Sequence, residues 1–181
     1  MADQLAVLAG GCFWCTEAVF LDVVGVKSVE SGYTGGNVAN PSYKQVCGGD
    51  TGHAEAIRIT FDPDQIGYDD LLDIFFATHD PTTLNRQGTD VGTQYRSAIF
   101  YADEGQKAEA AAFMKELDET KTFKNSIVTT LEPLTNFYPA EAYHQKFYAN
   151  NPFQSYCQYM IPPKLTKLHK RFSELLKSHG K

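Results

Sequence analysis

Gly11-Cys12-Phe13-Trp14-Cys15 places a thiol between two glycines, Gly10 and Gly11, and two large aromatic rings. Leu5 to Ala9 before it reads as a buried strand, and Trp14, Ala18 and Leu21 after it recur at helical spacing. Cys12 is therefore expected on a loosened strand-to-helix turn, at or beside a helix N-terminus. There the helix dipole and free N–H groups favour a thiolate and bring its pKa below the free value of about 8.5. A thiolate beside an aromatic wall is a nucleophile facing an apolar pocket. The plainer reading is that Cys12, Phe13 and Trp14 simply pack in a core, as such residues usually do.

Glu55 is the second residue that could carry chemistry. Residues 54 to 61 alternate, so Glu55 shares a strand face with Ile57, Ile59 and Phe61, opposite Arg58 and Thr60. A carboxyl group on such a face loses hydration, its pKa rises, and it can act as a general acid near neutral pH. The competing reading leaves Glu55 solvated, just ahead of the strand. Tyr33, Tyr43 and Tyr95 stand in Gly-rich or polar segments, where a phenol can donate a hydrogen bond while its ring lines a pocket. Cys157 follows the turn formers Asn151-Pro152 and is expected on a mobile, exposed segment, suited to resolving an oxidised Cys12. Cys47 reads as a bystander, and Cys15, three residues after Cys12, is a second candidate for resolution.

The elements that must position these groups follow from pattern. Strands are expected at 5–9, 26–31, 54–61, 97–101 and 126–131, and helices after Cys12, at 69–78, from Asp103 with Gln106 as a capping pair, and at 140–149. A Gly-rich loop is expected from Gly32 to Cys47. Strands and helices alternate irregularly, which fits an α+β fold, a two-layer sandwich with helices laid on a mixed sheet. No repeat or linker divides residues 1–181, so one catalytic domain is expected, with residues 150–181 as an irregular C-terminal segment.

Composition narrows the class. A chain of 181 residues, 43% hydrophobic and 21% charged, is that of an ordinary soluble domain, and its net charge of −6 lacks the basic footprint of a nucleic-acid binder. Lys164, Lys167, Lys170, Arg171 and Lys177 interleave with leucines as the solvated face of an amphipathic helix. No run approaches the length of a membrane span, and no basic leader opens the chain, so no membrane association is expected. Four cysteines are too few for a disulfide scaffold and suit a reducing, cytoplasmic setting.

Gly11-Cys12-Phe13-Trp14, Gly32-Tyr33-Thr34-Gly35-Gly36, Pro41-Ser42-Tyr43, Gly49 through Glu55, His79-Asp80-Pro81 and Gly92 through Ser97 together resemble the A-type peptide methionine sulfoxide reductases. The resemblance runs from about Leu5 to about Pro152. It implies a ferredoxin-like sheet, Cys12 as nucleophile and Glu55 as the acid that protonates the sulfoxide oxygen. It further implies that Tyr43 and Tyr95 donate to that oxygen, that Phe13 and Trp14 hold the S-methyl group, and that Asp90 positions the substrate. The implied substrate is the S epimer of methionine sulfoxide, free or in proteins, and Cys12 would pass through a sulfenic acid. A second thiol, Cys157 in preference to Cys15, would condense with it, and thioredoxin would reopen the disulfide. No cofactor or metal is implied, and a monomer is expected. The alternative is a general thiol–disulfide oxidoreductase using Cys12-Phe13-Trp14-Cys15, in which Glu55 has no part.

Overall fold

The computed structural model describes residues 2–177; Met1 and 178–181, the two ends of the expected domain, lie outside the described residues. In chain order the elements are β1 (Gln4–Gly10), α1 (Phe13–Phe20), β2 (Val26–Thr34), α2 (Tyr43–Cys47), β3 (Ala54–Phe61) and α3 (Tyr68–Thr78). There follow a short hairpin of β4 (Arg86–Gln87) and β5 (Asp90–Val91), then β6 (Ser97–Tyr101), α4 (Glu104–Glu119), β7 (Thr130–Pro133), β8 (Tyr138–Pro139), α5 (Phe147–Asn150) and α6 (Ser155–Arg171). Six strands form a mixed sheet in the order β7-β6-β1-β3-β2-β8, antiparallel except where β7 runs parallel to β6. The four central strands, with α1 and α3 as their crossovers, make the β-α-β-β-α-β arrangement of a ferredoxin-like fold.

Side-chain parity divides the core between the two faces of this sheet. Ala6 and Leu8 of β1 join Ile57, Ile59 and Phe61 of β3 under α1 and α3, where Phe13, Val19, Phe20, Leu72 and Phe75 are buried. Val7, Ala9, Ala54, Ala56, Ala98 and Phe100 point the other way, covered by Leu134 and Phe137. Leu8 lies opposite Ile57, so the antiparallel register brings the end of β1 level with Glu55 at the start of β3. Two residues further on, the chain reaches Cys12. Sheet register thus joins two positions far apart in sequence.

The Asp103–Gln106 pair caps α4 as expected. The Asp103 carboxylate accepts from Gln106 N at 2.8 Å, while the Gln106 amide accepts from Ala102 N at 2.9 Å and donates to Leu5 O at 2.7 Å. Asp103→Ala should lower stability by about 1 kcal/mol, read as an earlier midpoint in chemical denaturation.

Several expectations of local structure are corrected. The strand read at 26–31 runs on through Gly32-Tyr33-Thr34, paired with Ala56, Glu55 and Ala54, and the presumed loop then contains α2, capped by Ser42. Ladder pairing overrides the turn chemistry of the glycines there. The strand read at 126–131 is only Thr130–Pro133, and the helix read at 140–149 is a 3₁₀ turn, Ala142–His144, followed by α5. Lys146 adopts a left-handed conformation (φ 54°), which breaks that helix in two.

Candidate active site

Gly10 and Gly11 are required by what packs behind the turn. A Cβ on Gly10 would lie 2.9 Å from the Phe75 ring, and one on Gly11, whose φ is +94°, would lie 2.6 Å from Gln87 Cγ. The turn delivers Cys12 as the residue capping α1, with its carbonyl accepting from Cys15 N at 3.1 Å. The side chain of Glu55 reaches the same helix end: Phe13 N donates to Glu55 Oε1 at 3.1 Å. The helix start and the acid therefore share one small space, brought together by the β1–β3 register.

Glu55 is 1% exposed, which settles its expected position in favour of the buried reading. Burial pushes its pKa up to about 8, against the lowering effect of the Phe13 N–H, so it is a carboxylic acid at neutral pH. Its second oxygen, Oε2, is buried and has no hydrogen-bond partner among the described residues. A proton on that oxygen is available to a guest.

Cys12 is also more enclosed than the sequence implies, at 8% exposed. Burial pushes its thiol well up, reinforced by its hydrogen bond with Cys15 and by Glu55, and the Trp14 N–H only partly offsets this. The expected depression of the Cys12 pKa is thus corrected: helix-terminus stabilisation loses to desolvation. The depressed thiol is Cys15, held down chiefly by the hydrogen bond from Cys12 and helped by Lys164 and Tyr156. Of the two thiols, Cys15 is therefore the more readily ionised.

Aromatic rings wall the site. Trp14 stacks on Phe147 (centroids 3.8 Å apart, planes 7° apart), and its Nε1 donates to His144 Nδ1 at 3.0 Å. Phe13 lies 6.4 Å from Tyr43 and 5.1 Å from His144 between centroids. Tyr43 is fixed through its backbone, whose N–H donates to Glu141 Oε2 at 2.9 Å, while Tyr33 OH donates to Glu141 Oε1 at 2.8 Å. Burial and the nearby Glu55 raise the pKa of both Tyr43 and Tyr95, which keeps both phenols as donors. Tyr33, by contrast, is fully buried in the core. Asp90 accepts a hydrogen bond from Tyr156 OH.

Cys157 is not on an exposed, mobile tether. It is fully buried in the first turn of α6, where Gln154 caps the helix by accepting from Cys157 N at 2.9 Å. Cys12, Cys15, Cys157 and Ile161 form one buried cluster, against which Trp14, Tyr95, Tyr156 and Met160 pack. Burial, with Cys15 close by, pushes the Cys157 thiol up to about 11. Cys47, expected as a bystander, is exposed at the end of α2, within hydrogen-bond reach of the Tyr43 hydroxyl.

Sequence reasoning missed Glu141, His144 and Tyr156, and the reading of Lys164 as part of a solvated helix face is corrected: its Nζ turns inward to donate to Thr78 O. His144 is the clearest omission, since its ring is fully buried against three site aromatics, and burial lowers its pKa. The signal was a histidine next to Tyr143 within an otherwise helical reading. A cavity of about 520 Å³ lies behind the turn, lined by Thr78, His79, Asp80, Gln87, Phe123 and Lys164. Its residues His79 and Gln87 back onto Gly10 and Gly11. No helix among the described residues is long and apolar enough to cross a membrane.

A family model described as peptide methionine sulfoxide reductase matches residues 4–176. A relative from Erwinia tasmaniensis, peptide methionine sulfoxide reductase MsrA, is 60% identical over 174 residues, covering 96% of this chain and 97% of its own length. Among solved structures, reduced Mxr1 from Saccharomyces cerevisiae matches with a TM-score of 0.79 at 39% identity, over 89% of this chain and 90% of that one. Mxr1 in complex with Trx2 matches with a TM-score of 0.56 at 28% identity, over 81% and 85% of the two chains.

Proposed function

The chain belongs to the peptide methionine sulfoxide reductase family, and from that premise we propose that Cys12 attacks methionine-S-sulfoxide while Glu55 protonates the departing oxygen. The observation that carries this reading is the contact of Glu55 with Phe13 N, which holds a protonated carboxyl against the start of α1 beside the Cys12 thiol. A sulfoxide oxygen leaves poorly unless protonated, so the acid and the nucleophile have to meet at one substrate. The free Oε2 supports the role. A general thiol–disulfide exchanger would have no use for a buried acid at this place.

Tyr43 and Tyr95 are the proposed donors to the same oxygen, supported by their raised pKa values and their shared sensitivity to Glu55. Phe13 and Trp14 are the proposed seat of the S-methyl group, with Trp14 locked by Phe147 and His144. Asp90 is proposed to position the substrate, and its Tyr156 contact ties the β4–β5 hairpin to α6. Attack forms an S–S bond as the sulfoxide's electron pair moves to its oxygen; collapse releases methionine and leaves Cys12 as a sulfenic acid.

Cys157 is the proposed resolving thiol. Cys157 gives up its proton and attacks the Cys12 sulfur, a disulfide forms, and the sulfenic hydroxyl leaves with that proton as water. Pro162 and Pro163 lie within α6 and lack N–H groups, so the carbonyls of Gln158 and Tyr159 lose their intrahelical donors. The turn carrying Cys157 is thereby loosened from the rest of the helix. The disulfide then needs an external dithiol; since the related Mxr1 is known in complex with Trx2, a thioredoxin is the proposed reductant. A cytoplasmic monomer acting on free and protein-bound methionine sulfoxide completes the proposal.

One equivalent of methionine-S-sulfoxide added to reduced protein should release one equivalent of methionine and leave a Cys12–Cys157 disulfide, found by peptide mass mapping. A Cys12–Cys15 link would reassign resolution to Cys15. No methionine at all would remove the proposed activity.

A further inference from the structure

A lysine occupies the buried stripe of α6. Cys157, Ile161, Lys164 and Leu168 fall at i, i+4, i+7 and i+11, one face of the helix, and the other three are fully buried. A polar group at such a position is the informative exception to burial of apolar residues. Lys164 Nζ donates to Thr78 O at 2.5 Å, which leaves most of its charge unanswered by that neutral carbonyl. The groups facing it are Cys15 and Cys12 from α1, Asp80 and His79 beyond α3, and Lys167 on its own helix. Asp80 is engaged with Thr82, whose N and Oγ1 both donate to it. Of the anionic candidates facing Lys164, the thiol pair acts on it more strongly than Asp80 does.

On the thiol side, Cys12 and Cys15 stand three residues apart at the helix start, so their side chains are neighbours. Cys15 is 3% exposed, and its Sγ is 4.0 Å from Tyr156 OH, a hydroxyl already donating to Asp90. Asp90 also faces Cys15 and disfavours negative charge there. A buried thiolate in this setting needs a cation, and Lys164 is the one that α6 presents to it.

We propose that Lys164 is a positioning residue that holds a thiolate on Cys15, and that Cys15 is the base that takes the Cys12 proton as Cys12 attacks. The step balances. The proton passes from Cys12 Sγ to Cys15 Sγ, the Cys12 electron pair forms the S–S bond, and the sulfoxide's pair moves to oxygen, which takes the Glu55 proton. Charge moves from Cys15 to Glu55, and no outside reactant is consumed. Burial makes Cys12 a poor thiolate at rest, and the adjacent base removes that obstacle only when substrate is in place. This inference rests on Cys12 being the nucleophile. It also gives Cys15 a role distinct from resolution.

The test is a thiolate titration by ultraviolet absorbance, paired with single-turnover methionine release. With Cys47 and Cys157 replaced by serine so that only the Cys12–Cys15 pair titrates, the lower of its two macroscopic transitions should move up by about one pH unit in Lys164→Met and stay near the parent value in Lys164→Arg. Methionine release at neutral pH should slow about tenfold in Lys164→Met and at least as much in Cys15→Ser. Lys164→Gln, which keeps a donor for Thr78 O, replaces the methionine variant if that one fails to fold. An unshifted titration in the neutral variant, an equal shift in the arginine variant, or a wild-type rate in Cys15→Ser would each overturn the proposal. The titration reads Lys164 and Cys15 even if the protein released no methionine, so it separates this inference from the reading beneath it.

Discussion

Cys12→Ser should reduce methionine release to background, a loss on the order of 10³-fold or more. Serine is close to cysteine in size, so the buried turn between β1 and α1 keeps its shape and Phe13 N still reaches Glu55 Oε1. The hydroxyl, however, ionises far less readily than a thiol and forms no S–S bond with the substrate. A base as weak as the Cys15 thiolate cannot take its proton to a useful extent. The measurement is methionine formed in a single turnover at saturating substrate, with a thermal melt to show that the fold survives. Retained turnover would mean that another thiol attacks, and Cys15 is the only other cysteine on α1. A binding module without chemistry would pass this substitution unharmed, so the experiment also separates that class of reading from an enzyme.

The parts legible in the sequence were those set by short-range pattern. Alternation from Ala54 to Phe61 placed Glu55 on the core face, and the Gly-Gly turn placed Cys12 at a helix start; both follow from backbone periodicity alone. The pKa of Cys12 was not legible, because it depends on what covers the turn. That cover comes from Trp14, Tyr95 and Tyr156 together with Cys157 and Ile161 of α6, a helix more than a hundred residues away in sequence. The same distance explains the misreading of Cys157. Asn151, Pro152 and Gln154 do break the chain, but they do so to begin α6, with the Gln154 side chain as its cap. Turn formers mark a boundary and say nothing about which side of it is buried. Glu141 and His144 were lost for a related reason: the stretch around them reads as one helix, and only the left-handed Lys146 divides it into pieces that face the site.

Glu55→Gln should slow methionine release by about 10² to 10⁴-fold while leaving substrate affinity largely intact. The amide keeps an oxygen for Phe13 N and a similar shape, but it carries no transferable proton. Its pH dependence is the sharper test. Wild-type turnover should fall as pH rises through about 8, where Glu55 loses its proton, and this descending limb should vanish in the glutamine variant. Stability should follow the same group with a determinate sign. The folded pKa of about 8 lies above the ordinary 4.5, so between those values the folded protein binds a proton that the unfolded chain has released. The contribution is complete below pH 4.5 and is lost as pH rises through 8. Wild type should therefore lose unfolding free energy relative to Glu55→Gln across that window, measured by denaturant titration at a series of pH values. Parallel stability profiles together with an unchanged rate would mean that the carboxyl is ionised at rest, and the departing oxygen would need a different proton. The two measurements bear on one buried proton: the desolvation that destabilises ionised Glu55 in the fold is what keeps it an acid when the sulfoxide arrives.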